Sequence, residues 1–216
     1  MPRFVDVEQW PRREAYEFFR DYEFPYFNIC VPLEVGRLVE LSRSGQDVQF
    51  TLAFLYFAAR VANEYEPFRY RLQDGRLIVH DRIHVGTTVL LEGERLGFAQ
   101  YEYEDDFAAF RAGAGQVRQR VFAGQEPMTS WEGRTDLLHT SAMPWFAFTG
   151  LLHAHNSRDD SVPKLSFGRY TRAADGAVHM PLAIEVNHAL MDGVHVARYL
   201  ERLQAYLSDP RPALAL

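Results

Sequence analysis

Near its C-terminal end the sequence passes from one hydrophobic period to another. Pro181-Leu182-Ala183-Ile184-Glu185-Val186 alternates as a strand does, and Val196, Tyr199, Leu200, Leu203 and Leu207 then recur at helical spacing. Nine residues join the two patterns, NHALMDGVH, from Asn187 to His195. They place His188 at the strand end, Asp192 four positions on, Gly193 beside it and His195 after that. A histidine at such a junction is held by a stiff element and lies near the start of a helix, a good place for a general base.

The rest of the chain reads as mixed helix and strand. Pro11 opens a helical stretch from Arg12 to Arg20, since proline suits a first turn, and Pro25 lies just beyond its end. Phe27 to Val31 reads as a short strand. Thr51 to Glu64 is apolar nearly all round, so it predicts a buried helix. Leu77–His80, Thr87–Glu92 and Phe98–Tyr103 read as strands, with turn signals at Asp74-Gly75 and Gly93. Asp105 or Asp106 is positioned to cap a helix through about Arg120, weakened by Gly113 and Gly115. Ser166–Arg172 and Val178–Val186 flank Asp175-Gly176 as a hairpin. The last helix spans about Gly193 to Leu207, with a frayed tail after it. No linker or repeat divides the 216 residues, so one domain covering 1–216 is expected.

Composition excludes several classes. A net charge of -6 argues against general nucleic-acid binding. The single cysteine, Cys30, rules out an internal disulfide framework and fits a reducing cytoplasm. The N-terminal residues lack the apolar core of a signal peptide. The longest apolar stretch, Leu52 to Ala59, is too short for a bilayer and is closed by Arg60, so no membrane association is expected. The 16 phenylalanines and 11 tyrosines suit an aromatic-lined pocket as well as a core.

Each chemically interesting residue also has a plain reading. His188, Asp192 and His195 have the spacing of a facial metal site, but no clear fourth ligand or cysteine pair accompanies them, and a metal site is not expected. Asp192-Gly193 alone is a turn or a helix cap. Ser141, in HTSAMPW, reads as a turn hydroxyl before Pro144. Arg12 and Arg13 read as a solvated helix face, and Phe18, Phe19, Phe24, Tyr26 and Phe27 as core. There is no G-x-S-x-G elbow, no Walker loop and no G-x-G-x-x-G.

Three stretches in order change that balance. FVDVEQWPRREAYEFF, SAMPW and MPLAIEVNHALMDGVHVARYLERLQ resemble segments of the chloramphenicol acetyltransferase family along nearly the whole chain. The resemblance implies an α/β two-layer sandwich with a mixed β-sheet and packed helices, of the CoA-dependent acyltransferase type. It implies a homotrimer with active sites shared between subunits, taking acetyl-CoA and a small hydroxylated acceptor. His188 matches the family's base, which would take a proton from the acceptor hydroxyl as it attacks the thioester. Asp192 matches a structural aspartate paired with Arg12. Ser141 matches the hydroxyl that stabilises the oxyanion. Ser166 aligns with a threonine near the reacting hydroxyl, and Phe18, Phe19, Phe24 and Tyr26 fall on the stretch lining the acceptor pocket.

The sequence also departs from the family. Asn187 replaces the first of two adjacent histidines, Tyr26 is larger than the usual residue, and the Asp21–Phe24 loop is one residue longer. The last two changes fall on the acceptor side and leave the acceptor open. The reading is an acetyl-CoA-dependent O-acetyltransferase. Its alternatives are transfer to another hydroxyl or thiol, and a relative that binds without catalysis. Arg169, Arg172 and Lys164 are candidates for meeting CoA phosphates.

Overall fold

A computed structural model describes residues 2–126, 133–155, 157 and 159–216. In chain order come the two-residue strand β1 (Arg3–Phe4), helix α1 (Arg13–Phe19) and the nine-residue strand β2 (Tyr26–Glu34). Helices α2 (Gly36–Arg43) and α3 (Phe50–Glu64) follow, then strands β3 (Tyr70–Gln73), β4 (Arg76–Val79), β5 (His84–Leu90) and β6 (Leu96–Tyr101). Helix α4 (Phe107–Phe122) leads to β7 (Leu137–Met143), β8 (Lys164–Gly168), β9 (Thr171–Arg172) and β10 (Val178–Asn187). Helices α5 (Gly193–Ser208) and α6 (Pro210–Ala213) close the chain.

The main sheet runs β2-β10-β8-β7-β5-β6, with β9 added beside β10, and β1-β4-β3 form a smaller sheet. β8–β7 and β7–β5 pair in parallel and the other pairs are antiparallel, so the sheet is mixed as expected. Strand alternation gives its two faces opposite characters. Leu182, Ile184 and Val186 of β10, with Phe167 of β8 and Leu138 of β7, join the core made by α3 and α5. Phe54 of α3 packs on Phe167 at 4.5 Å between centroids, and Tyr199 of α5 donates to the Ala58 carbonyl at 2.9 Å. Fully burying a leucine or phenylalanine contributes roughly 1.5–3 kcal/mol, so the apolar circumference of α3 makes it the centre of the core.

The other face is polar. The register aligns Glu185 with Asn28 and Lys164, Asn187 with Tyr26, Lys164 with His139, and Ser166 with Ser141. The chain between β7 and β8 folds back over this face. Its Phe146 carbonyl accepts from Arg169 N–H, and Gly168 gives it room, since a Cβ there would lie 2.9 Å from that carbonyl oxygen.

Three expectations need correction. Ser141, read as a turn hydroxyl, lies within strand β7, whose last residues through Met143 pair in parallel with β8. Helix α2 was not expected. The tail is not frayed: Pro210 and Leu214 are buried, and α6 docks on the core.

Candidate active site

The strand β10 ends at Asn187, whose side-chain oxygen accepts from Ala189 N–H at 3.0 Å. Its carbonyl accepts from Leu190 and Met191, both at 3.1 Å, so the chain turns at once. Ala189, Leu190 and Met191 are buried, which fastens the turn to the core. His188 N–H donates to the Pro25 carbonyl at 2.7 Å, holding the turn to the start of β2.

Arg12 clamps the turn from the other side. Its guanidinium grips both oxygens of Asp192, Nη2 reaching Oδ1 at 3.0 Å and Nη1 reaching Oδ2. It also donates to the carbonyls of Leu190 and His188, each at 3.2 Å. The Arg12 side chain is only 13% exposed, so these four bonds form largely out of water. At the head of α5, His195 Nδ1 accepts from Asp192 N–H at 2.9 Å. Burial lowers the His195 pKa and the nearby Arg12 adds to the effect, which suits an acceptor nitrogen.

The His188 ring lies between two phenylalanines. It stacks on Phe19 at 4.0 Å and 11°, and meets Phe27 at 4.6 Å. Nδ1 is buried and 3.5 Å from Asp192 Oδ1, and a third of the side chain stays exposed. Phe18 packs on Phe19 at 4.9 Å but is 62% exposed.

The other expected residues gather elsewhere, on the polar face. Phe24 and Tyr26 pack together, and Tyr26 stacks on His155 at 3.6 Å. Burial raises the Tyr26 pKa, with Asp160 reinforcing the effect. Ser166 is fully buried, its hydroxyl 2.8 Å from His153 Nε2. The hydroxyl of Ser141 lies 3.0 Å from that of Thr88, beside a cavity of about 430 Å³ lined by Leu96, Phe98, His139, Met143, His153 and Lys164. Lys164 is buried and pairs with Asp160 at 2.6 Å, which removes it from the candidates for a surface phosphate contact.

These two groups do not meet within one chain. His188 contacts Phe27, which faces the helices, whereas Ser141 is on the polar face. Ser141 aligns through Ser166 with Ala183, and His188 is five residues past Ala183. Strand geometry therefore separates them by roughly 16 Å along the sheet and about 10 Å across it.

Over residues 3–204 the sequence matches the chloramphenicol acetyltransferase family. The chain belongs to that family. It is 32% identical over 209 residues to a chloramphenicol acetyltransferase of Escherichia coli, an alignment covering 95% of this chain and 93% of the other. A chloramphenicol acetyltransferase of Streptomyces acrimycini is 28% identical, with 97% and 96% covered. A solved chloramphenicol acetyltransferase superposes with a TM-score of 0.84 at 26% identity, covering 96% of this chain and all of that one. The cubic core of a pyruvate dehydrogenase multienzyme complex shares the fold, with a TM-score of 0.70 at 16% identity and 98% and 92% covered. A chloramphenicol acetyltransferase fold and family make the chain an acyltransferase of the acetyl-CoA-dependent, chloramphenicol acetyltransferase-like kind.

Within this chloramphenicol acetyltransferase-like frame, His153, His155, Asp160 and Glu185 are residues that sequence reasoning passed over. One signal was available: Glu185 interrupts the apolar run of β10, and a carboxylate buried there needs partners. Among the described residues no group of three or more His, Cys, Asp or Glu is arranged to hold a metal ion, and no helix is long and apolar enough to cross a membrane.

Proposed function

We propose that the chain moves the acetyl group of acetyl-CoA directly to an acceptor hydroxyl, at a site built by two copies of the chain in a homotrimer. The observation that supports it most is the placement of His188 and Ser141 on opposite faces of one sheet, each fitted for half of the reaction. With Nδ1 buried and the ring a third exposed, His188 offers its Nε2 edge to a substrate. As general base it takes the acceptor proton while the oxygen attacks the thioester carbonyl. Ser141, from the neighbouring copy, donates to the tetrahedral oxyanion; such donors are worth roughly 10²–10³ in rate. Arg12 and Asp192 fix the turn that carries the base, and Phe19 fixes its ring, with Phe18 beside it. Phe24, Tyr26 and Ser166 line the acceptor side together with the cavity. No acyl-enzyme is required, and the collapse of the intermediate returns the proton to the departing CoA sulfur. The single cysteine suits a reducing cytoplasm as the working compartment.

Mixed assembly tests the shared site. His188→Ala and Ser141→Ala are each expected to be nearly inactive. Unfolded together in equal amounts and refolded, they should regain about a quarter of wild-type turnover, because one interface in about four joins an intact histidine to an intact serine. No recovery, with mixed trimers demonstrated by native mass spectrometry, would place both residues in one site of one chain and refute the reading.

A further inference from the structure

Asp192 is the N-cap of α5, and both oxygens of its carboxylate meet Arg12. Its backbone N–H is tied separately, to His195 Nδ1 at 2.9 Å. His195 is the third residue of α5, the place from which a glutamate or glutamine reaches back to the N-cap N–H in a capping box. Here an imidazole makes that bond. The two kinds of side chain differ in one property: a glutamine oxygen always accepts, whereas Nδ1 accepts only while it carries no proton.

Asp192 also stands beside the base. Its Oδ1 is 3.5 Å from His188 Nδ1, and its Oδ2 is 3.9 Å from His195 Nδ1. One carboxylate thus serves two imidazoles and a guanidinium. We propose that His195 is a positioning residue for acetyl transfer: as a neutral acceptor it fixes the backbone of Asp192, and through Asp192 the setting of His188, and a proton on Nδ1 undoes that. The protonated ring would set two N–H groups against each other, lose the bond from Asp192 N–H, and draw Asp192 Oδ2 from Arg12 toward the new charge. The groups around the ring are mixed. Arg12 and Arg198 resist a proton there, the Asp192 carboxylate favours one, and Arg3, Asp6, Glu66 and Tyr70 line the cleft of about 520 Å³ that His195 shares with them. Burial and Arg12 outweigh the carboxylate and lower the pKa, so the tie is closed at neutral pH and opens below the ordinary histidine range. The side chain is 15% exposed, which gives solvent protons access to it. The inference rests on the acetyl-transfer reading, in which His188 is the base.

Wild type, His195→Gln, His195→Ala and His188→Ala are compared by CoA release from acetyl-CoA, with chloramphenicol as the acceptor, from about pH 8 to about pH 5. A second assay needs no acceptor: alkylation of the His188 ring by iodoacetamide, followed by peptide mass spectrometry. At about pH 7.5, His195→Ala should lose at least about tenfold in kcat, because a small misplacement of a catalytic group costs that much, while the KM for acetyl-CoA stays within about twofold. His195→Gln should keep at least about half of kcat, since its amide oxygen remakes the bond. As the pH falls, wild-type turnover should drop with two protons, one for the base and one for the tie, and His195→Gln with one. The ratio of wild type to His195→Gln should therefore fall by at least about threefold across the range. The alkylation rate of His188 should change by at least about threefold in His195→Ala and stay near wild type in His195→Gln. If chloramphenicol is not turned over, alkylation rates across the same pH range make both comparisons. If His195→Ala does not fold, the pH comparison of wild type with His195→Gln decides alone. Equal rates in wild type and His195→Ala, or parallel pH profiles in wild type and His195→Gln, overturn the inference and leave acetyl transfer standing when His188→Ala is inactive. Near-normal turnover by His188→Ala overturns both.

Discussion

Arg12 and Asp192 should be coupled, and unequally. Arg12→Ala removes four hydrogen bonds, two of them to the backbone of the turn itself. Asp192→Ala removes two and leaves Arg12 attached to the Leu190 and His188 carbonyls. Loss of one partner from a buried pair costs about 3–5 kcal/mol. The Asp192 side chain is 39% exposed, so water screens part of the effect. Arg12→Ala should therefore cost about 3 kcal/mol and Asp192→Ala about 2, with a coupling of at least about 1 kcal/mol in the double mutant. Urea unfolding followed by tryptophan fluorescence suits the test, because the Arg12 guanidinium lies 5.7 Å from the Trp10 ring. All four proteins must be compared at one protein concentration, since assembly would shift the midpoints. Turnover should fall in both single mutants as the base loses its setting. Coupling below about 0.5 kcal/mol would mean that the two side chains act independently, and the clamp would be refuted.

Two further outcomes are expected. Arg71 is fully buried, its pKa lowered to about 9 by burial, and it donates to the carbonyls of Phe68, Tyr70, Thr135 and Leu137. Arg71→Met should lower unfolding stability by at least about 2 kcal/mol, because several acceptors lose their donor at once; a change under about 0.5 would refute that. Burial holds both His80 and His139 near a pKa of about 4, below the 6.5 of an exposed histidine. The unfolded chain therefore binds these protons first, and the stability present above pH 6.5 should decline toward pH 4, by about 2 kcal/mol per histidine at pH 5. Urea midpoints that stay level between pH 7 and 5 would contradict it.

Much of this was legible from local pattern. β10 and α5 announced themselves by period, and the Arg12–Asp192 pair, which the structure contains, was expected from the family resemblance rather than from local pattern. The four bonds from Arg12 were not visible, because they span about 180 positions and exist only once α1 docks on the turn. β7 was hidden for a related reason. Thr-Ser-Ala-Met before a proline has turn chemistry, and its strand conformation comes from parallel pairing with β8, a neighbour far along the chain. Helix α2 starts at Gly36 without a side-chain cap, so it carried no opening signal. Leu214 looked like tail composition and is buried by tertiary packing. Glu185 meets His155 across 30 positions, and neither residue belongs to a recognisable motif.

The opposed faces of the main sheet bear on how this protein behaves when scarce. A newly made chain, fully folded, would hold a base with no oxyanion donor on one side and a donor with no base on the other. On the proposed shared site, such a chain is latent until it meets a second copy. Specific activity should then fall on dilution below the dissociation range of the assembly, with a lag on reconcentration set by reassociation rather than by refolding.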